Sequence, residues 1–539
     1  MLELNLKSLR ENRAEWEKAG FYLPAFDVGK ARHDTAAAPV WAHIGTGNLY
    51  KAYHAMLAQE LLEKGLTKKG VIAVVPNDRA SIDHVFKPHD NLWVQVVMKA
   101  SGELVKTVCA STTEVLLADP LDKSHWGRLA EVFRSSELQL VTLAVTEKAY
   151  DLWAMDGSLK PEVEEEFSSG LARPRHLMVK LAALLLERFQ NGGAPLAVVS
   201  TDNFSHNGDR LKKAVLTVAK EWGKRAIVEE KFARWLEESG KVSFPLSMID
   251  KITPFPAEKV AGALAAAGVA GMEVQKSERG SFNAAFVNTE EAEYLVIEDV
   301  FPNGRPPLEK AGVYFTDRET VDKVERMKVC TCLNPLHTAL AVTGCVLGFT
   351  SIAGEMKDPD LAALAAKIGY DEGLPVVTDP GIIKPSAFID EVLTKRLPNP
   401  AIPDTPQRIA TDTSQKLGIR FGETIKLYAA RPDLDVNNLK LIPLVIAVWC
   451  RYLLGIDDAG KPFAPSPDPL LAHLRDALKG VTAGNPDSGK GKLKAILSNE
   501  KIFGVDLYKA GLGERIEGCF AELLAGPGAV RKTLQKYLK

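Results

Sequence analysis

The sequence is poor in cysteine and has almost no net charge, and each shortage excludes a class of protein. Its 539 residues include six cysteines, with no Cys-x-x-Cys pair and no pattern shared with the ten histidines. A structural zinc site is therefore not expected. So few cysteines in so long a chain fit a reducing compartment, so we predict a cytoplasmic location. A net charge of −2 without a long basic run argues against nucleic-acid or membrane-surface partners.

Long hydrophobic runs are scarce as well. The N-terminal segment 1–17 is charged and has no apolar centre, so we do not expect a signal peptide. Residues 329–354 carry no formal charge and could span a bilayer by length. That stretch contains Asn334, Pro335, His337 and several glycines and threonines. We therefore favour a helix buried in a protein core over a membrane span.

The first half of the chain alternates strand and helix patterns, which is typical of a doubly wound α/β sheet. An apolar run over 39–44 leads into Gly45-Thr46-Gly47, and a helical pattern follows over 48–64. Strand, glycine turn and helix form the local plan of a dinucleotide site, because glycine lets the backbone approach a pyrophosphate. Tyr50 stands where the full motif has its third glycine, so an ordinary turn is the alternative interpretation.

The second predicted strand, over 70–75, bears on cofactor preference. Asp78 follows it and could bind an adenosine ribose, which favours NAD. Arg79 is next in sequence and could instead bind the 2′-phosphate of NADP. The preference stays open and leans to NAD.

Other polar residues follow later strands, at the position where parallel sheets bind ligands. A strand over 138–145 runs into Thr146, Glu147 and Lys148, and a strand over 196–200 delivers Asp202 and Asn203. Asp250 lies between apolar residues in a predicted loop over 248–254, where it could also be a simple turn or cap residue.

Near residue 295 the pattern changes from strands to long helical segments. We predict two domains, an α/β domain over 1–295 and a mostly α-helical domain over 296–539. Within the second, Lys328, Asn334 and His337 precede the apolar stretch. A half-buried lysine can act as a base, an amide can hold an oxyanion and a histidine can orient either group. This combination suits proton abstraction from an alcohol, and a polar helix start is the alternative.

Together these pieces resemble the mannitol dehydrogenase family of polyol-specific long-chain dehydrogenases. The resemblance runs from about residue 39 to near the C-terminus. The stretches that carry it are His43–Gly47 with Lys51-Ala52, Thr146–Tyr150, Asp202-Asn203 with Asn207-Gly208, Phe244–Pro254, the segment with Lys328, Asn334 and His337, and Arg396–Pro400 with Lys416. Their order and spacing carry the resemblance more than any one of them.

The resemblance implies an NAD(P)-binding Rossmann-type domain, a helical substrate domain and no metal. It implies Lys328 as general base, Asn334 and Asn203 as oxyanion-holding amides, and His337 as an active-site hydrogen-bond partner. The implied substrate contacts are Asp250, Arg408 and Lys416. The implied cofactor contacts are Gly45, Gly47, Asp78, Thr146, Glu147, Lys148 and Asp202. Arg408 and Lys416 would lie near one face of a helix, where a solvated edge is the alternative.

One departure from the family pattern concerns the lysine. Lys328 precedes Asn334 by six positions instead of the family's five, and one extra residue turns a regular helix by about 100°. A helix that starts at Asn334-Pro335 would release Lys328 from that helical phase. A one-residue π-bulge would do the same. Without either feature, the assignment of Lys328 as base fails.

The resemblance implies a sugar alcohol or sugar acid as substrate and NAD as cofactor, with NADP as an alternative. We expect interconversion of D-mannonate and D-fructuronate. The alternatives are altronate with tagaturonate and mannitol with fructose. An inactive NAD(P)-binding sensor is the alternative from another functional class.

Overall fold

The computed structural model describes residues 1–154, 157–276 and 282–539, which form two compact units. The N-terminal unit comprises residues 1–98 and 103–321, and the helical unit comprises residues 99–102 and 322–539. The predicted fold class, a Rossmann-type α/β domain with a mostly helical C-terminal domain, is confirmed.

The strands belong to the N-terminal unit. In chain order they are β1 Phe21–Tyr22, β2 Trp41–Ile44, β3 Val71–Val75, β4 Trp93–Met98, β5 Leu104–Cys109, β6 Thr112–Leu117, β7 Leu140–Leu143, β8 Leu196–Ser200, β9 Val242–Ser243, β10 Ser247–Asp250, β11 Gln275–Lys276, β12 Phe282–Asn283, β13 Phe286–Thr289, β14 Tyr294–Glu298 and β15 Tyr314–Thr316.

The main sheet has six parallel strands in the order β6-β3-β2-β7-β8-β9. Counted within the sheet this is 3-2-1-4-5-6, the strand order of dinucleotide-binding domains. Every residue of β2, β3, β7 and β8 is buried, as expected when both faces are covered. Because side chains alternate along a strand, Ala42 and Ile44 enter one core and Trp41 enters the other.

Three further sheets belong to this unit. One has the order β1-β5-β4-β13 and includes the hairpin of β4 and β5, a second has the order β10-β14-β15, and the third pairs β11 with β12. The predicted loop over 248–254 is wrong at its start, because Ser247–Asp250 pairs antiparallel with β14 and Asp250 lies opposite Tyr294. The domain boundary predicted at 295/296 falls inside β14, whose partners keep the chain in this unit as far as residue 321.

Helices cover the sheets of the N-terminal unit. They are α1 Leu6–Glu11, α2 Arg13–Lys18, α3 Val28–Ala37, α4 Ala55–Glu63, α5 Arg79–Ser81, α6 Lys123–Arg134, α7 Pro161–Ser169, α8 Leu177–Gln190, α9 Asn207–Lys224, α10 Glu230–Glu237 and α11 Glu258–Ala266, with π-helical segments at Tyr50–His54 and Ile82–Phe86. Helix α12, Arg318–Arg326, begins in this unit and ends in the next.

The helical unit continues from there. Its helices are α13 Asn334–Leu347, α14 Ile352–Glu355, α15 Pro359–Lys367, α16 Pro385–Glu391, α17 Pro406–Ile409, α18 Glu423–Ala430, α19 Leu441–Tyr452, α20 Leu471–Ala477, α21 Lys494–Leu497, α22 Glu500–Phe503, α23 Gly513–Leu523 and α24 Ala529–Leu538. Its π-helical segments are Met327–Cys332, Ile368–Gly373, Val392–Arg396 and Gly418–Gly422.

Helix α13 is the core helix of this unit and packs against α19, which is buried along its whole length. Gly348, with φ +81°, ends it, and the N–H of Phe349 returns to the carbonyl of Gly344 at 2.9 Å. By length and composition the helical run 318–347 could cross a membrane, but 83% of its apolar window is buried. Such burial is typical of the core helix of a soluble protein.

Candidate active site

The glycine turn after β2 lies where the strand order of the main sheet reverses. β2 has β3 on one side and β7 on the other, and ligands bind at such a switch point. Gly45 has φ +108°, and a Cβ built on it would lie 2.1 Å from the carbonyl oxygen of Ala144. Its N–H donates to the carbonyl of Val74 at 2.9 Å. Only glycine fits here, so Gly45 fixes the turn between the two neighbouring strand ends.

Gly47, in contrast, borders open space. A Cβ built on it would meet no atom within 4 Å, and helical structure begins at the next residue, Asn48. A bare backbone at a helix N-terminus presents free N–H groups and a positive dipole end. This part of the predicted site therefore fits the pyrophosphate of a dinucleotide. Tyr50, which occupies the position of the third glycine in the full motif, is buried, and its hydroxyl lies 2.5 Å from Oγ1 of Thr112.

The turn after β3 carries the residues that bear on NAD or NADP. Asp78 is half-buried, and its Oδ2 accepts a hydrogen bond from Nδ2 of Asn283 at 3.4 Å. Arg79 forms an ion pair with Asp122, so its guanidinium already has an acidic partner. Lys180 of α8 donates from Nζ to Oδ1 of Asn77 at 2.8 Å and so braces the turn. The lysine is buried, and the sequence patterns did not indicate it.

Asp202, at the end of β8, joins two neighbouring strand ends. Its Oδ1 accepts from the backbone N–H of Val145 at 2.9 Å and its Oδ2 accepts from the hydroxyl of Tyr150 at 2.5 Å. Burial raises the pKa of this carboxyl group, while the two hydrogen bonds oppose that rise. Asp202 therefore shapes the sheet edge, and its predicted cofactor contact stays a prediction.

The remaining predicted cofactor residues and Asn203 lie at the same edge. Thr146, Glu147 and Lys148 are exposed after β7, where Glu147 pairs with Arg210 at 2.5 Å. Asn203 follows Asp202 directly and is exposed.

Asn207 also stabilises this edge, although the sequence indicated it only as part of a family motif and not as a site residue. It is fully buried, its Nδ2 donates to the carbonyls of Asp202 and Ser247, both at 3.0 Å, and its Oδ1 accepts from the N–H of Ser247 at 3.1 Å. The amide thus holds the β8 turn against β10. At the far end of β10, Asp250 is buried with 4% exposure.

In the helical unit, both structural features that would release Lys328 are present. Met327–Cys332 is π-helical, and α13 begins at Asn334 with Pro335 in its first turn. The N–H of Leu333 bonds to the carbonyl of Lys328 at 3.1 Å, and the φ,ψ of −127°, −61° at Leu333 separates the two helical segments. Lys328 is therefore out of phase with α13. Its side chain is buried with 4% exposure.

His337 lies one turn into α13. Its Nε2 is 3.5 Å from Oδ2 of Asp404, an ion-pair distance that does not meet hydrogen-bond geometry. Burial lowers the pKa of His337 to about 4, because the raising effect of Asp404 is smaller and nearby arginines oppose it. The imidazole is therefore neutral at neutral pH and can accept or donate a hydrogen bond.

Arg408 and Lys416 are brought to the same region, but not on one helix as the sequence suggested. Helix α17 ends at Ile409, and Asp412 has left-handed backbone angles, with φ +54°. Arg408 forms an ion pair with Asp404. Lys416 is half-buried and donates from Nζ to the carbonyl of Thr411. The end of α17 at Ile409 and the left-handed Asp412 therefore break the predicted helix between Arg408 and Lys416.

Arg420 also belongs to this region and was missed. Its Nη1 donates to Oγ1 of Thr338, the residue after His337, at 2.5 Å. The signal that could have found it is the pair of glycines that flank it, Gly418 and Gly422. Across 1–154, 157–276 and 282–539, no group of three or more His, Cys, Asp or Glu side chains is placed to hold a metal ion.

Two family models match the chain. The Mannitol dehydrogenase Rossmann domain matches residues 41–310, and the Mannitol dehydrogenase C-terminal domain matches residues 320–523. D-mannonate oxidoreductase of Thermotoga maritima is 50% identical over 539 residues, which cover 99% of each protein.

Solved structures agree on the fold. The ternary complex of Pseudomonas fluorescens mannitol 2-dehydrogenase with NAD and D-mannitol is similar with a TM-score of 0.68 and 25% identity, covering 99% of both chains. A substrate-free D-sorbitol dehydrogenase has the same fold, with a TM-score of 0.76, 24% identity and coverage of 97% of this chain and 98% of that one.

Proposed function

Because this chain belongs to the mannitol dehydrogenase family, we propose that it interconverts D-mannonate and D-fructuronate with NAD as cofactor. The choice of substrate rests on the full-length similarity to a D-mannonate oxidoreductase. The chemistry is oxidation of a secondary alcohol and the reverse reduction of a ketone. A cytoplasmic enzyme without a nucleic-acid or membrane partner fits the composition.

Lys328 is the proposed acid and base. In oxidation its Nζ takes the proton of the substrate hydroxyl, and in reduction it returns that proton to the ketone oxygen. Its position on the π-helical segment before α13, and its burial, support this role. A positioned proton donor and acceptor of this kind contributes about 10²–10⁴ in rate. Bound NAD supplies the hydride chemistry.

Asn334 and Asn203 are the proposed donors to the substrate oxygen, which becomes more negative as the proton leaves. Amide N–H donors aimed at a developing oxyanion stabilise the transition state more than the ground state. Neutral His337 is the proposed hydrogen-bond partner of the reacting group. Asp250, Arg408 and Lys416 are the proposed contacts to the rest of the substrate.

The cofactor is proposed to bind at the carboxyl edge of the main sheet, with its pyrophosphate at Gly45 and Gly47. Thr146, Glu147, Lys148 and Asp202 are the proposed neighbours on the adjoining strand ends. NAD is favoured over NADP because Asp78 can accept from a ribose hydroxyl while Arg79 is already paired with Asp122.

The test is a screen of the purified full chain for oxidation of NADH and of NADPH, followed by absorbance. D-fructuronate, D-tagaturonate and D-fructose are offered separately. We expect the highest kcat/KM with D-fructuronate and NADH. Preference for D-tagaturonate or D-fructose would assign the alternative substrates. Cofactor binding without turnover of any keto-sugar would favour the alternative function, an inactive NAD(P)-binding sensor.

A further inference from the structure

The helical unit contains a guanidinium group, that of Arg420, for which the described residues supply no ion-pair partner. We infer that Arg420, with Lys416 beside it, is the anchor that binds the carboxylate of the sugar-acid substrate. This inference rests on the proposed function and goes further, because it assigns the distinction between a sugar acid and a neutral sugar to a named side chain.

The first support is the poor pairing of Arg420. Burial lowers its pKa to about 10, and no acidic side chain offsets that effect. Its hydrogen bond runs to the neutral hydroxyl of Thr338 at 2.5 Å. In the part of the chain that the structure describes, no carboxylate lies within ion-pair distance of this guanidinium. An arginine has five N–H donors, and a largely buried cation without an anion is costly. A bound carboxylate would remove that cost.

The second support is that Lys416 adds a second cation without an ion pair. The N–H of Arg420 bonds to the carbonyl of Lys416 at 3.0 Å, so the two residues are one helical turn apart. Burial and then the charge of Arg420 lower the pKa of Lys416. Lys416 donates to the carbonyl of Thr411, and no carboxylate within the described ranges is close enough to pair with it.

Two acids, Asp412 and Asp468, have charges that act on Lys416, and Asp468 is already engaged in other contacts. Asp468 accepts from the backbone N–H of Ser414 at 2.8 Å, from the hydroxyl of Ser414 at 2.6 Å and from the N–H of Leu470 at 2.9 Å. Its oxygens are therefore used in closing a turn. Arg408 differs from Arg420, because Arg408 has Asp404 as an ion-pair partner and its side chain is 61% exposed.

The third support is that Arg420 is held in place from behind. It lies on the π-helical segment Gly418–Gly422. A Cβ on Gly422 would lie 1.7 Å from the carbonyl oxygen of Phe503, and a Cβ on Gly418 would lie 3.1 Å from that of Ile502. The two glycines let the segment press directly against this backbone. Arg420 therefore projects from a rigid support, as a specific binding group needs.

The location connects this pair to the active-site histidine. Thr338, which receives the hydrogen bond of Arg420, follows His337 on α13, and the charge of Arg420 contributes to the low pKa of His337. A carboxylate is the ligand that fits, because a planar guanidinium binds it through two parallel hydrogen bonds. The hydroxyl of a neutral hexitol would leave both cations unpaired.

The test compares Arg420→Gln, Arg420→Lys and the unaltered enzyme with D-fructuronate and with D-fructose, both at saturating NADH. We expect Arg420→Gln to raise the KM for D-fructuronate about 10²-fold and Arg420→Lys about 10-fold, since one charge-assisted bidentate contact is lost or halved. With D-fructose we expect changes of less than about 2-fold in kcat/KM. Arg431→Gln is the matched control, because Arg431 pairs with Asp433 on the surface.

A second readout measures binding without turnover. D-mannonate should raise the melting temperature of the unaltered protein and of Arg431→Gln, but not of Arg420→Gln, while NADH affinity stays equal in all three. Equal losses on the acid and the neutral ketose, or an unchanged KM for D-fructuronate, would overturn the role of Arg420. If Arg420→Gln does not fold, Arg420→Lys decides by the same criteria.

The proposed function can fail separately. If the unaltered protein reduces no sugar acid but D-mannonate still stabilises it through Arg420, the carboxylate site stands and the reaction does not. If D-mannonate neither reacts nor binds, the carboxylate site is overturned as well.

Discussion

At the carboxyl edge of the main sheet, polar side chains bond to one another, whereas near α13 the neighbouring cations Arg420 and Lys416 have no ion pair with any described residue. Asp202 has two donors and Asn207 has several partners. Arg420 and Lys416 bond to a hydroxyl and a carbonyl. The polar side chains of the sheet edge therefore satisfy one another, whereas the helical cluster, Arg420 with Lys416, gains an ion-pair partner when an anion binds.

The difference indicates what each region contributes. Buried polar groups that are fully hydrogen-bonded define a unique structure. Buried charges without partners lower the stability of the folded protein, and a ligand of opposite charge offsets that loss when it binds. Changes at the sheet edge should therefore alter folding and cofactor affinity, and changes in the helical cluster should alter substrate affinity and turnover.

The largest effect is expected for Lys328→Ala. Removing the proposed acid and base should lower kcat by about 10³-fold. NADH affinity should stay unchanged, because the proposed cofactor contacts lie at the sheet edge. Steady-state reduction of D-fructuronate and a fluorescence titration with NADH measure the two quantities.

Lys395→Ala is the matched control, because Lys395 is an exposed lysine on another π-helical segment of the same unit. It should keep full turnover. Normal turnover in Lys328→Ala would remove the lysine from the mechanism and would leave the helical cluster as a binding region alone.

The next effect separates folding from cofactor binding within the glycine turn. Gly45→Ala should lower the free energy of unfolding by about 2–4 kcal/mol, because its Cβ meets the Ala144 carbonyl at 2.1 Å and φ is +108°. Gly47→Ala meets no protein atom within 4 Å, so its stability should stay within about 0.5 kcal/mol. Its methyl group should still weaken NADH binding, by about 10-fold.

Urea denaturation and NADH titration of both variants provide the check. An equal loss of stability in the two variants would mean that the turn is sensitive as a whole. Unaltered NADH affinity in Gly47→Ala would place the pyrophosphate elsewhere.

The sheet edge was predictable because its rules are local. The run 39–44, the glycine turn and the following helix lie within one short stretch, and the backbone demands of Gly45 are evident from residue type. The extra residue between Lys328 and Asn334 could also be interpreted, because Pro335 restricts where a helix starts. The structure shows that start together with a π-helical segment before it.

The rest depends on contacts between distant residues. Ser247–Asp250 becomes a strand because β14 pairs with it from more than forty positions away. Arg408 and Lys416 fall on a broken segment, which eight-residue spacing does not reveal. The flanking glycines mark Arg420 in the sequence, but its importance depends on two features that no sequence pattern records. These are the lack of an ion-pair partner among the described residues and the close approach of Gly422 to Phe503.

The smallest effect concerns Glu355, a buried acid of the helical unit. It is fully buried against α13, where a Cβ on Gly344 would lie 1.6 Å from its Oε1. Neither of its oxygens has a hydrogen-bond partner among the described residues. Burial raises the pKa of this carboxyl group from 4.5 to about 9, so Glu355 is neutral at neutral pH. Arg420 cannot be neutralised in this way, because guanidinium keeps its proton.

The pH dependence of stability tests this contrast. Between pH 4.5 and about 9 the folded chain holds a proton on Glu355 that the unfolded chain releases. Its stability contribution is therefore full below that window and is lost as pH rises through it. Glu355→Gln cannot titrate, so its melting temperature should fall less than that of the unaltered protein between pH 6 and 9. The exposed Glu500→Gln should keep the original slope. If Glu355→Gln also keeps the original slope, Glu355 does not titrate in this window, and burial has not kept its carboxyl group neutral.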